Sequence, residues 1–248
     1  MLDDRPWKHG PLKACLFDFG GTLDADGVTW QDRLFPLYWK HGLRVDREVF
    51  RQAFYRADDT LIEERALWDA SLRETVEVQV AKVMEGLPIS SGERLGKAVA
   101  ADFLADVEAT VARNRPSLEK LRSVFRLGIV SNFYGNLERV CSDLGILDLF
   151  DCLVDSSREG VMKPDARIFR SALERLGLEP EQAVFIGDNV FRDMQGARAA
   201  GMPHVWLAGA SSSVGQPCCP GDPVIWSLEE LPPLLLDGRP EPRGGRTP

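Results

Sequence analysis

The segment Ala14-Cys15-Leu16-Phe17-Asp18-Phe19-Gly20-Gly21-Thr22-Leu23 runs an apolar, β-prone stretch into an aspartate, followed at once by two glycines and a threonine. Ionised carboxylates are not buried unless paired or bound to a metal, and in open α/β sheets ligands bind beyond the carboxyl ends of the strands. Asp18 is therefore a candidate nucleophile, a candidate metal ligand, or both. Three later segments carry related chemistry. Ile129-Val130-Ser131-Asn132 ends an apolar run in a hydroxyl and an amide, and Val161-Met162-Lys163-Pro164-Asp165 sets a lysine just before a helix. Phe185-Ile186-Gly187-Asp188-Asn189-Val190-Phe191-Arg192-Asp193 places two acids around a strand-to-helix turn. Singly, each has an ordinary alternative: turn or capping residues for Ser131 and Asn132, a solvated surface amine for Lys163, a helix cap and first-turn acid for Asp188 and Asp193. Together they compose a phosphate site. Asp18 with Asp188 or Asp193 suits Mg2+, which takes one or two carboxylates along with water and phosphate oxygens. Lys163 adds a cation, and Gly21, Thr22, Ser131 and Asn132 add small donors for substrate binding.

These segments need a scaffold that brings them to one edge. From Pro116 onward the pattern alternates: strands at 125–130, 150–154, 183–187, 204–207 and 224–226, with helices at 137–144, 165–176, 193–200 and 228–235 between and after them. Such alternation predicts a parallel sheet covered on both faces. The strand ending at Asp18 belongs to that sheet. Between it and the rest, residues 29–115 show apolar positions such as Leu34, Leu37, Tyr38 and Val49, Phe50, Phe54 at helical spacing. The period continues over 66–87 and 93–112, divided by Gly86-Leu87-Pro88-Ile89-Ser90-Ser91-Gly92. The expected fold is α/β, a Rossmann-like parallel-sheet core (11–28 and 116–236) with a helical domain (29–115) inserted after the first strand. The Gly/Pro/Arg-rich tail, 237–248, is expected to be disordered.

The apolar fraction of 44% and charged fraction of 27% over 248 residues are those of a globular domain with a sizeable core. A net charge of −8 argues against nucleic acid or an anionic membrane as partner. An anionic small molecule must then be drawn by local charge. No stretch reaches the length of a membrane span, and Met1-Leu2-Asp3-Asp4-Arg5-Pro6 lacks the basic-then-apolar order of a signal peptide. Cys15, Cys141 and Cys152 sit in apolar patterns and read as buried free thiols, and the pair Cys218-Cys219 has no zinc-ligand neighbours. A reducing cytoplasm, a monomer or homodimer and a small-molecule partner are expected.

With these four ordered segments and the helical insertion, the chain resembles the haloacid dehalogenase-like hydrolases, mostly phosphatases, over about residues 13–235. The resemblance implies Mg2+ as cofactor and Asp18 as the nucleophile of an aspartyl-phosphate. It implies that Ser131 holds a phosphoryl oxygen, that Lys163 offsets charge and that Asp188 binds Mg2+. Asp193 would help through water or by holding Lys163, and the main-chain carbonyl of Gly20 would serve as a further metal ligand. The insertion would be the family's helical cap, choosing a small phosphorylated substrate.

One position departs from that family. Two residues beyond the nucleophile most of its phosphatases carry a second aspartate that protonates the leaving oxygen and then activates water; here it is Gly20. Three readings follow. Another acid supplies the proton, with Asp24 and Asp26 as candidates; the substrate has a leaving group that needs no acid; or the chain is a metal-independent 2-haloacid dehalogenase-like hydrolase. A non-catalytic binding or regulatory role stands beside them. The family's dehalogenases tend to have lost the glycine-aspartate pair kept here as Gly187-Asp188, which favours Mg2+ and phosphate. In the insertion Arg33 and His41 come early enough to face the site. Phe133-Tyr134-Gly135-Asn136, directly after Asn132, can line the pocket by position.

Overall fold

The computed structural model describes residues 12–88, 93–209 and 221–236. Cys218-Cys219, the N-terminal segment, residues 89–92 of the expected breaker and the 237–248 tail lie outside them. Six parallel strands form one sheet: β1 (Ala14–Phe17), β2 (Arg126–Ser131), β3 (Cys152–Asp155), β4 (Ala183–Gly187), β5 (His204–Leu207) and β6 (Val224–Ile225). Their spatial order is β3-β2-β1-β4-β5-β6. The direction of winding reverses at β1, so the crevice at its carboxyl end is the expected ligand position of a doubly wound sheet.

The strands are apolar throughout because both faces are covered. On β1, Cys15 and Phe17 enter one apolar cluster while Ala14 and Leu16 enter the other. On β4, Val184 and Ile186 take the first face, Ala183 and Phe185 the second. The second face is packed by α7 (Ala166–Leu176) through Ile168, Phe169, Ala172, Leu173 and Leu176. Asp165 starts that helix by accepting the Arg167 main-chain N–H, and Gly177 ends it in the left-handed region. The shorter helices α5 (Leu137–Asp143), α6 (Ser156–Glu159), α8 (Gly196–Ala199) and α9 (Leu231–Leu236) complete the α/β part.

Among the described residues four α-helices stand between β1 and β2: α1 (Trp30–Lys40), α2 (Arg47–Glu63), α3 (Leu72–Glu85) and α4 (Glu93–Arg122). Their apolar stripes, among them Leu34, Phe50, Val76 and Phe103, belong to the same continuous cluster as Phe17, Ile129 and Ile186 of the sheet. The insertion and the sheet thus share one core. No described helix is long and apolar enough to cross a membrane.

Three boundaries differ from the sequence expectation. The helix expected from residue 66 begins at Leu72, because Ser71 and Glu74 form a reciprocal capping box that fixes the start there. The expected division at 115/116 falls inside α4, which passes through Pro116; proline's fixed φ is itself helical, and the lost hydrogen bond is outweighed by buried neighbours such as Val111, Leu118 and Leu121. The helix expected over 193–200 instead starts three residues earlier, as a π-helical turn over Val190–Gln195 that Asn189 caps, and runs into α8.

Phe103 lies inside the insertion, in the cluster shared with the sheet. It is fully buried, its ring packs edge-on against Trp30 at 5.1 Å, and the Arg33 guanidinium lies 4.6 Å above it. Phe103→Ala should lower stability by about 3–5 kcal/mol and still unfold in a single urea transition by fluorescence and circular dichroism. A separate early transition of the helices would contradict the shared core.

Candidate active site

Asp18 leaves the end of β1 with its main-chain N–H bonded to the Ile186 carbonyl at 2.9 Å, so the backbone register fixes its start. Its Oδ1 accepts from Phe19 N, from Ser131 Oγ and from Lys163 Nζ, each at 2.7 Å. All three fall on Oδ1, leaving Oδ2 as the less engaged oxygen. Lys163 is buried and its Nζ also reaches Asp193 Oδ1 at 2.6 Å. Burial works against the lysine's charge, but Asp18 and Asp193 outweigh it and hold its pKa above the usual value.

Asp18, Asp188 and Asp193 each bring an oxygen within 4.8 Å of the others. Burial, then the negative charges of Asp193 and Asp18, push Asp188 well above the usual carboxylate range. Burial is also the main cause that takes Asp193 to about 6, with Lys163 opposing it. Three carboxylates against one ammonium leave two negative charges when all are ionised. Hard oxygen donors, converging spacing and that residual charge fit a Mg2+ ion, whose opposed ligands stand roughly 4.2 Å apart.

Two glycines make the cluster possible. Gly21 has φ +91°, and a Cβ there would lie 2.7 Å from the Asp188 carboxylate. At Gly187 a Cβ would meet Asp193 at 2.5 Å. Both acids occupy space that any side chain would take.

The neighbouring polar groups are spent on holding this arrangement. Thr22 Oγ1 donates to Asp188 Oδ1 at 3.0 Å, and Trp206 Nε1 donates to the Asp188 carbonyl at 2.9 Å. Asn132 grips the Lys163 main chain from both sides: its Oδ1 accepts from Lys163 N at 2.7 Å and its Nδ2 donates to Lys163 O at 3.1 Å. The Gly21 N–H donates to Asp24 at 2.7 Å. The Asn189 N–H donates to the second oxygen of Asp193 at 2.9 Å. Thr22 and Asn132, expected to bind substrate, thus spend side-chain groups on Asp188 and Lys163, and the Gly21 N–H goes to Asp24.

A cleft of about 210 Å³ opens over Asp18 and is lined by Gly20, Ser131, Asn132, Lys163 and Asp188 from the sheet side. Gly20 itself has φ −73° and ψ 115°, a conformation open to any residue; a Cβ there would stand 3.6 Å from Trp30 Nε1 in ordinary contact. The opposite wall comes from the insertion: Trp30 on α1 and Phe54, Tyr55 and Asp58 on α2. Phe133 and Tyr134 line it as their position suggested, while Asn136 turns to the insertion, donating to Ala70 O and Thr75 Oγ1. Arg33 and His41 do not reach the cleft. Arg33 is drawn to Asp24 at 3.0 Å and Asp106 at 2.8 Å, and His41 to Asp102 at 2.8 Å.

Sequence reasoning missed Asp58 and Arg192, both in the cleft wall. The available signal for Asp58 was an acid one turn beyond Phe54, beside the buried stripe of α2.

A family model for haloacid dehalogenase-like hydrolase matches residues 12–201. The chain is 38% identical over 112 residues to haloacid dehalogenase-like hydrolase domain-containing protein 3 of Mus musculus, covering 44% of this chain and 45% of that protein. It thus spans less than half the length of that relative. It is 31% identical over 225 residues to a phosphoserine phosphatase of Thermus thermophilus, covering 83% of this chain and 86% of that one. Among solved structures, a dehalogenase with an intermediate complex shares the fold with a TM-score of 0.63 at 20% identity, over 90% of this chain and 97% of the other.

Removing the cation from two buried carboxylates leaves their charge uncompensated. Lys163→Met should cost about 3–5 kcal/mol of stability in metal-free urea denaturation at neutral pH. A variant as stable as the parent would show that the lysine does not hold the cluster together.

Proposed function

Because this chain belongs to the haloacid dehalogenase-like hydrolases, we propose that it is a Mg2+-dependent phosphatase of small phosphorylated metabolites, acting through an aspartyl-phosphate on Asp18. The observation that carries this reading is the set of three converging carboxylates with one buried lysine, more acids than that single ammonium can balance and a donor set suited to a divalent cation. The relative in Thermus thermophilus, similar over most of both chains, bears a phosphatase name. The cleft's modest size suits a small ester.

The less engaged Oδ2 of Asp18 is the oxygen that attacks phosphorus, while Ser131, Phe19 N and Lys163 fix Oδ1 and so the direction of approach. A carboxylate and a phosphate dianion repel. The Lys163 ammonium, 2.7 Å from Asp18, lowers that barrier and faces the charge on the transferred group. Asp18, Asp188 and the Gly20 carbonyl would hold Mg2+, which supplies charge neutralisation at the phosphoryl oxygens. Asp193 serves mainly by holding Lys163. Thr22 and Asn132 act as positioning residues for Asp188 and Lys163, and Gly21 makes room for Asp188. Splitting hydrolysis into phosphoryl transfer to Asp18 and then to water makes each step easier.

The four inserted helices act as the cap in this reading, with α2 forming the wall that meets the organic part of the substrate. The buried thiols Cys141 and Cys152 suit a reducing, cytoplasmic setting.

Phosphate release from p-nitrophenyl phosphate tests the proposal. Activity should require Mg2+, vanish with EDTA and fall at least about a thousandfold in Asp18→Asn, a loss of the size expected when a covalent step is removed. Halide release from chloroacetate that survives EDTA would replace the phosphatase reading with the dehalogenase one. Independently of turnover, saturating Mg2+ should raise the melting temperature, since a ligand at a hundred times its Kd adds about 2.7 kcal/mol. Asp188→Asn should abolish that rise; a rise preserved in the variant would place the ion elsewhere.

A further inference from the structure

Gly20 leaves the phosphatase reading without its proton donor, and the acids that sequence suggested as substitutes are committed elsewhere. Asp24 is fully buried and accepts from Gly21 N at 2.7 Å, Trp30 Nε1 at 2.5 Å and Arg33 at 3.0 Å. Asp26 is paired with Arg113 at 2.5 Å, outside the cleft. Among the described residues four carboxylates line the cleft: Asp18, Asp32, Asp58 and Asp188. Asp18 and Asp188 belong to the nucleophile and the metal. Asp32 is held by Thr29 Oγ1 at 3.0 Å and by Arg47. That leaves Asp58, on the wall opposite.

We propose that Asp58 of α2 gives the leaving oxygen its proton and then activates water, the work of the carboxylate missing at position 20. The inference rests on the phosphatase reading of the site. Its geometry is that of a positioned group: Asp58 Oδ1 accepts from the Tyr134 hydroxyl and from Gln79 Nε2 at 2.8 Å, which fixes the carboxyl in the cleft wall. Tyr134 is two residues beyond Asn132, so the loop that clamps Lys163 also orients Asp58. The groups facing it are Tyr134 and Gln79, with Arg192 across the cleft and Asp59 on its own helix. Burial raises its pKa to about 6, against the opposing hydrogen bonds of Tyr134 and Gln79 and the charge of Arg192. A group near that value can both give and take a proton around neutral pH.

In the first step Asp18 Oδ2 forms a bond to phosphorus as the bond to the leaving oxygen breaks. That oxygen keeps the electron pair and takes the proton of Asp58, so an alcohol departs and Asp58 becomes a carboxylate. In the second, Asp58 removes a proton from water as the water oxygen bonds to phosphorus. The phosphorus–Asp18 bond breaks, inorganic phosphate leaves, and Asp58 is protonated again.

Leaving-group dependence separates this role from a structural one. Nitrophenolate departs without a proton and an alkoxide does not. In Asp58→Asn, which keeps the acceptor for Tyr134 and Gln79, kcat/KM for ethyl phosphate should fall ~10²–10⁴-fold, while that for p-nitrophenyl phosphate changes less than about tenfold, the smaller loss expected where no proton is needed. Slow dephosphorylation should also produce a burst of nitrophenol. Adding Gly20→Asp to that variant should restore ethyl phosphate turnover in preference to the nitrophenyl ester, since the backbone there accepts a side chain. An equal loss on both esters, or no loss on either, would overturn the assignment of Asp58 while leaving the phosphatase reading in place. Wild-type enzyme inert on both esters with Mg2+ would overturn both.

Discussion

The contact between the Lys163 ammonium and the carboxylates of Asp18 and Asp193 is the constraint around which the rest is arranged. A buried ion group is costly unless its geometry is excellent and its remaining hydrogen-bonding capacity is met. The surroundings meet that demand. Asn132 grips the lysine's main chain, Ser131 and Phe19 N hold one oxygen of Asp18, and Asn189 N holds the far oxygen of Asp193. Each partner sits at the carboxyl end of a strand or within two residues of it, so the parallel register of β1, β2 and β4 supplies the alignment. The cluster is therefore assembled by the sheet, with more carboxylates than the one ammonium balances.

The insertion completes what the sheet leaves open. Trp30 lies over Gly20 and donates to Asp24, which in turn receives the Gly21 N–H and Arg33. The turn that follows the nucleophile is thus pinned from the insertion side. Asp155, at the end of β3, accepts from Gly135 N and Leu137 N and shapes the loop that carries Phe133 and Tyr134 to the cleft. Because one apolar cluster runs through both parts, the cleft walls are held in register by the core itself.

Much of this was legible in the sequence because it is written in short-range pattern. Strands β4 and β5 coincide with their expected spans, since apolar runs bounded by turn residues leave little freedom. The four chemistry-bearing segments could be picked out because each interrupts or follows an apolar run. What was not legible depends on orientation across the fold. Nothing in the chain near Asn132 indicates that its amide would be spent on Lys163, 31 residues away. Asp24 looked available until Trp30 and Arg33, one helix on, were seen to enclose it. Asp58 has no motif around it; its significance comes from the face that α2 turns to a cleft formed by β1, β2 and β4, and helical period alone does not say which partner a face will meet.

The most direct measurement is to mix enzyme, Mg2+ and p-nitrophenyl phosphate, quench in acid within one turnover, and locate added phosphoryl groups by peptide mass spectrometry. One phosphoryl group on the peptide containing Asp18, removed by hydroxylamine as an acyl phosphate should be, is the result predicted here. Turnover with no phosphoryl group on Asp18, or with the group on another residue, would contradict the account.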